Sequence, residues 1–459
     1  MSDDQHGATD RLGEFVAGSA WEAIGPELRR QGQRALLNYF ACALGAARDP
    51  AVATAVGVLS PFSGPAVARL IGRSERLDAM GAAFVNAIGA NLFDFDDTHF
   101  PTAIHPTAPV APPLLALAEQ RGCSGAELLH ALILGLEVEC RIGRAVSPGH
   151  YARGWHITAT CGVFGAAAAC AKLLGLGPRE TGHALGLAAS QSAGLIENLS
   201  TAAKNVGVGN AARNGLLAAL LAQAGYAAAP RSIEGALGWA RAMGDTPDMD
   251  ILVGELGTRW EADQIGFKPY PAGFVFHAEI DACLALRARL GGPVEDIAEV
   301  VVRGDQLLLD RGERPVRTNR DARVSIQHAA AVAFVRGRAG MEEFDQAAVD
   351  DPALSAFRAR VRSELDATLP TASAAVSVVT RDGRRETVVV RDARGSPGAP
   401  LSDADLEAKL RAGATAAGLE GAADELVKRI RGLDQGNPAE LMRLGSAGAR
   451  QAVAAEVTA

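Results

Sequence analysis

The chain has 459 residues, 45 basic and 53 acidic side chains, a formal charge of −8, and 48% hydrophobic residues of which few are aromatic. That hydrophobicity is too high for a disordered chain, the acidic balance does not suit a nucleic-acid binder, and 51 glycines without a triplet period exclude a collagen-like repeat. An apolar content built on Ala and Leu points instead to a globular protein of close-packed helices in two or three domains.

The segment from Met1 to Asp10 is polar and acidic, with no basic stretch leading into an apolar one, so no signal peptide is expected. Apolar residues then recur at three- and four-residue spacing over 31–46, 79–93, 109–120, 125–146, 158–174 and 209–224, which predicts a helix over each. Asp78, Ser124 and Thr158 stand where caps belong, and Pro178 opens a further helix that runs through Leu187. The most apolar stretches, 161–176 and 216–229, are Ala/Gly-rich and interrupted by Lys172 or Gln223. They fall short of the roughly 20 strongly apolar residues of a membrane span, and read as buried helices of a cytoplasmic protein. The six cysteines are scattered, without a Cys-x-x-Cys pair. This argues against a zinc ribbon or a cysteine-held cluster and for reduced thiols.

Composition shifts near Phe267. β-Branched runs over 298–302, 374–379 and 386–390 predict strands, the last two joined through Arg381-Asp382-Gly383 as a hairpin. Helices are expected over 276–290, 322–335 and 354–365. After a Gly/Pro linker over 395–400, helices over 402–411, 422–432 and 438–444 are expected to return to the first domain. The fold class is therefore mainly α: a large all-helical domain from 1–267 and 395–459, and a smaller α/β domain over 268–394.

Four segments could carry chemistry. Asp94-Phe95-Asp96-Asp97-Thr98-His99 and His105-Pro106 crowd acids and imidazoles into a connection that Pro101 and Pro106 keep from being helical. Helix caps with solvated acids, or an oxygen- and imidazole-rich metal site from Asp94, Asp97, His99 and His105, are both open readings, although the spacing fits no standard metal motif. Gly154-Trp155-His156-Ile157-Thr158 puts His156 near a helix N-terminus, where the dipole attracts anions. Lys204 stands in a small-residue stretch leading into a helix; it is either solvated or faces a carboxylate, and no phosphate-loop pattern surrounds it. Lys268-Pro269-Tyr270-Pro271 and the following His277 lie at the domain boundary, a favoured place for small-ligand sites.

Taken in order and at these separations, the segments resemble the MmgE/PrpD family. The likeness rests on Asp94-Phe95-Asp96-Asp97-Thr98 with His105-Pro106, Gly154-Trp155-His156-Ile157-Thr158, Ser124-Gly125, Lys204 with Gly209-Asn210-Ala211-Ala212, Lys268-Pro269-Tyr270-Pro271, and His277 with Ile280-Asp281-Ala282. The resemblance implies a helical domain built from both chain ends, an α+β lid and a homodimer. It implies no metal and no cofactor, no membrane or nucleic-acid partner, and a small di- or tricarboxylate as substrate.

On that reading His105 and His156 exchange the proton, Asp94 orients or tunes one of them, and Lys204 completes the catalytic set. Thr98, Lys268, His277, Gln327 and His328 then bind substrate. Dehydration of the 2-methylcitrate type comes first among the family's reactions; decarboxylation of the cis-aconitate type, epimerisation, or a carboxylate-binding homologue with altered chemistry are the alternatives. The chain departs from the family pattern in an extra residue between Thr98 and His105, in His328 where Tyr is common, and in Gly207 and Gly273. An imidazole at 328 would bring a group able to titrate near neutrality in place of a phenol.

Overall fold

The computed structural model describes residues 7–447. Residues 1–6 of the polar N-terminal segment, and 448–459 at the other end, lie outside the described residues. The chain forms two compact units, one from the described residues of Met1–Leu92, Asp96–Ile265 and Ser402–Ala459, the other from Phe93–Phe95 and Gly266–Leu401. The fold is mainly α with a smaller α/β part.

In the larger unit the helix Ile157–Leu173 lies at the centre, buried continuously from Ile157 to Ala171. It packs against Thr107–Arg121, Gly125–Val146 and Ala202–Gln223. Small residues make this possible. A Cβ on Gly215 would lie 2.4 Å from Ala166 Cβ, and one on Gly135 would lie 2.7 Å from Gly165 O. Only backbones without side chains approach so closely, which is why the Ala/Gly-rich composition belongs to a dense interior.

The start signals act as read at three helices, Pro178 opening Pro178–Ala189. Asp78 accepts the N–H groups of Met80 and Gly81 at 3.0 Å, and Ser124 and Glu127 form a capping box on Gly125–Val146. Thr158 does not cap. The helix begins one residue earlier, with His156 at the N-cap, and the Thr158 hydroxyl takes a hydrogen bond from another chain segment. The helix expected over 209–224 begins at Ala202, so Lys204 sits in a helical first turn rather than in a lead-in loop.

Near the C-terminus the helix Asp403–Ala417 lies along Pro26–Ala46, tied by Arg34–Asp403 and by Lys409 Nζ to Asn38 Oδ1 at 2.7 Å. Both chain ends therefore contribute to this unit. Among the described residues no single helix is long and apolar enough to cross a membrane; Pro26–Ala46 and Pro50–Phe62 meet the length and composition test only as a pair bent by 87°.

The smaller unit holds a four-stranded sheet in the order Val361–Leu365, Ile297–Gly304, Ala374–Thr380, Arg385–Val390. The first pair is parallel, with Val302 opposite Ser363, and the others are antiparallel, with Val302 opposite Val376. The Asp-Gly hairpin forms as read, Gly383 supplying a φ of 87°. Helices His277–Leu290 and Ile326–Arg336 pack together, and the former also lies on the hairpin.

The helix expected over 354–365 is a short helix, Pro352–Arg358, followed by the edge strand Val361–Leu365. Leu354, Phe357, Val361 and Leu365 satisfy a helical spacing, but residues 361–365 also alternate with period two. Pairing with Ile297–Gly304 occupies their backbone groups and decides the matter.

Candidate active site

In the larger unit the segment after Asp96 is shaped as a tight turn. His99 N–H donates to Ile104 O at 2.8 Å, and Ala103 adopts a φ of 63°. The His99 ring holds this turn from both sides: Nδ1 lies 2.8 Å from Thr102 Oγ1, and Nε2 lies 3.1 Å from Glu261 Oε2. Burial pushes the Glu261 carboxyl up, but the bonds from His99 and Arg144 outweigh it and hold the group at about 2. His99 is thus a buried structural anchor of this turn.

His105 follows directly. Its main-chain N–H donates to Thr158 Oγ1 at 3.0 Å, which ties it to the first turn of Ile157–Leu173. Its ring Nδ1 lies 2.9 Å from Asp97 O and 3.4 Å from both Thr98 Oγ1 and Asp96 Oδ1. A carbonyl oxygen only accepts, so Nδ1 carries the proton and Nε2 holds the lone pair of the neutral ring. The Asp97 side chain meanwhile receives Thr107 Oγ1 at 2.5 Å and Thr107 N at 3.4 Å, at the start of Thr107–Arg121. Burial raises the Asp97 carboxyl to about 7, against the Thr107 hydroxyl and with the help of neighbouring Asp96.

His156 sits at the N-cap of Ile157–Leu173, 4% exposed, with its N–H on Gly194 O at 3.1 Å. Gly194 has a φ of 151°, and a Cβ there would lie 2.6 Å from Ala159 Cβ, so only glycine lets this strand-like segment seat the histidine. His105 and His156 therefore meet at one helix start, joined through Thr158 two residues beyond His156. Lys204 is buried in the first turn of Ala202–Gln223. Its neighbour Asn205 donates to Asn91 O and Asn91 Oδ1 at 3.0 and 3.1 Å, and Asn91 Nδ2 donates to Asp96 Oδ2 at 2.7 Å.

The smaller unit holds the remaining expected residues. Lys268 Nζ donates to Asp94 Oδ1 at 2.8 Å and Asp94 O at 3.0 Å. Asp94 has a φ of 53°, a conformation that costs a non-glycine residue roughly 1–3 kcal/mol; the buried lysine holds it there. The Lys268-Pro269-Tyr270-Pro271 run is pinned by Tyr270 Oη on Asp281 Oδ1 at 2.6 Å and by Arg323, whose guanidinium reaches Pro271 O at 3.1 Å. His277 is internal, its Nε2 donating to Ala272 O at 3.1 Å and its ring edge-on to Tyr270.

Asp96 Oδ1 lies against the His105 ring, and Asp94 holds Lys268. One expectation changes: His328 does not titrate near neutrality, for it is fully buried, with Nε2 on Glu343 O at 2.8 Å and Nδ1 3.1 Å from the Arg358 guanidinium. Burial, with the nearby arginines, drives it down to about 4. Gln327, half-buried beside it, accepts from Ser325 Oγ at 3.3 Å. Asn91, Asp96, Thr107 and Asn205 escaped the sequence reading because lone amides and hydroxyls carry no periodic signal. Asp96 was visible only as one acid among three.

Comparison with known proteins adds a lineage. A profile described as the MmgE/PrpD N-terminal domain matches residues 10–252, and one described as the MmgE/PrpD C-terminal domain matches 270–433. The chain is 30% identical to a human cis-aconitate decarboxylase over 375 residues, 78% of this chain and 77% of the relative. It is also 30% identical to the mouse protein of that name, over 74% of this chain and 72% of the relative. A cis-aconitate decarboxylase of Aspergillus terreus is 31% identical, over 63% of this chain and 62% of the relative.

Proposed function

The chain belongs to the MmgE/PrpD family, and we propose that it is a lyase of small di- or tricarboxylates, specifically a decarboxylase of the cis-aconitate type. The class is supported by the seating of His105, an imidazole with its Nδ1 proton on Asp97 O and its main chain locked to the helix that His156 caps. The choice of decarboxylation over dehydration is supported by the relatives, which carry the decarboxylase name at 30–31% identity. It reverses the order read from the sequence, where 2-methylcitrate-type dehydration stood first.

The chemistry follows from the residues. When a C–C bond to a carboxylate breaks, CO₂ leaves and its bonding pair remains on carbon, conjugated with the neighbouring double bond and carboxylate. A buried ammonium such as Lys204 stabilises that negative charge far better than it would in water. An imidazolium then delivers the proton that completes the product, and His105 or His156 fills that role. Thr98, against the His105 ring, supplies a hydroxyl at the same place.

Incubation with cis-aconitate and with 2-methylcitrate in D₂O, followed by proton NMR, tests the reading. Loss of CO₂ with one deuteron incorporated at carbon is the expected result. Loss of water from 2-methylcitrate alone would keep the lyase and overturn the decarboxylase.

A further inference from the structure

Behind His105 lies a polar chain that the site residues carried over from the family do not include. It runs from Asn205 through Asn91 to Asp96 and ends on the His105 ring, within the larger unit and with every member buried. Asn91 is oriented unambiguously, because its Oδ1 accepts from Asn205 and its Nδ2 must therefore donate to Asp96 Oδ2. That leaves Asp96 Oδ1 facing His105 Nδ1 at 3.4 Å, beside Asp97 O at 2.9 Å.

We propose that Asp96 is the positioning residue of His105: held by Asn91 and Asn205, it keeps the ring proton on Nδ1 and meets the charge of the imidazolium. This rests on His105 being the proton-transfer group of the proposed lyase. When His105 is doubly protonated, the proton on Nε2 is the one given to the substrate carbon, and the ring returns to the Nδ1–H form. Throughout, the Nδ1 proton stays on Asp97 O, with Asp96 Oδ1 3.4 Å away. The same chain begins one residue from Lys204, so a single set of amides aligns the acid–base group and the helix turn that carries the lysine.

The geometry dictates what an isosteric change does. In Asp96→Asn the side-chain oxygen stays toward the Asn91 amide, and the new NH₂ turns toward His105 Nδ1. A donor then faces a donor, and the Nε2–H form gains population against the pull of Asp97 O. An analogous carboxylate-to-amide change in a serine protease triad lowers turnover by about 10⁴ through the wrong tautomer; here, with Asp97 O still favouring Nδ1–H, a fall in kcat of at least about tenfold is expected, with KM held within about twofold.

Long-range proton–nitrogen spectra of full-length protein labelled with ¹⁵N-histidine read the tautomer directly, the His105 signals being those lost in His105→Gln. The expected result is Nδ1–H in the natural protein and a shift toward Nε2–H in Asp96→Asn. Asn91→Ala, which retains the carboxylate but frees it, is expected to lower kcat by a smaller factor at unchanged KM. The proposal is overturned if the natural protein carries Nε2–H, or if Asp96→Asn keeps Nδ1–H and kcat within about twofold. It is likewise overturned if Asn91→Ala is kinetically silent. Should no polycarboxylate be turned over by the natural protein, the lyase reading fails, yet the spectra still decide whether Asp96 sets the His105 tautomer.

Discussion

His105 in the larger unit and His328 in the smaller are 7% and 0% exposed, and both follow a polar turn into a helix. Their hydrogen bonds separate them. His328 has both nitrogens committed to partners of fixed character, the Arg358 guanidinium donating to Nδ1 and Glu343 O accepting from Nε2. This holds the ring neutral and in one tautomer. His105 has its Nδ1 proton held by the Asp97 carbonyl, with the Asp96 carboxylate beside it. Burial alone does not tell these two histidines apart; the partners of each nitrogen do.

The largest expected effect breaks the comparison at its reactive end. His105→Gln or His156→Gln should lower kcat by about 10²–10⁴, measured by NMR progress curves on the natural substrate; turnover at the wild-type rate would remove that residue from the proton-transfer pair. Next, Lys204→Met should reduce kcat/KM by about 10–100-fold, the cost of losing a hydrogen bond to a charged group. An unchanged ratio would mean that Lys204 touches neither the substrate nor the developing charge.

The other end is tested by His328→Leu. Leaving Arg358 and Glu343 O without their ring partner should cost about 1–3 kcal/mol of stability, read by urea denaturation, with kcat/KM unaffected. A kinetic defect without a stability loss would show that this ring meets the substrate, and the contrast with His105 would collapse.

The last effect is a pH slope. The Asp97 carboxyl is held at about 7 in the fold, against about 3.9 when unfolded. Between those values the folded chain keeps a proton that the unfolded chain has released, so stability falls as pH rises through this window. Asp97→Asn retains an acceptor for the Thr107 hydroxyl and should flatten that slope by on the order of 1 kcal/mol per pH unit. Equal slopes in the two proteins would locate the pH dependence elsewhere, Glu139 being a second buried carboxyl raised well above its ordinary value.

Much of the helical body was legible because its signals are local. Gly125–Val146 begins and ends where the apolar spacing and the Ser124 cap put it, and Pro438–Leu444 likewise. Where two periodicities coexist, as over 354–365, local pattern could not choose, and strand pairing did. The candidate site was legible as residue types in segments: His105, His156, Thr98 and Lys204 all lie buried in the larger unit, His156 and Lys204 at helix starts. Their surroundings were not: Thr158 reaches His105 across 53 residues of sequence, and Asn205 reaches Asn91 across 114.

The sequence by itself determined the class of fold and the chemical alphabet of the site. Helix periodicity, caps and the Ala/Gly interior are properties of neighbouring residues, and acids, imidazoles and lysines are visible wherever they stand. Only the tertiary structure decided which nitrogen of His105 carries the proton, that Asp96 lies against its ring, and that His328 is an internal strut. Those outcomes depend on which donor meets which acceptor inside a low-dielectric interior, where an unmade hydrogen bond is costly, and chain order does not encode that meeting locally.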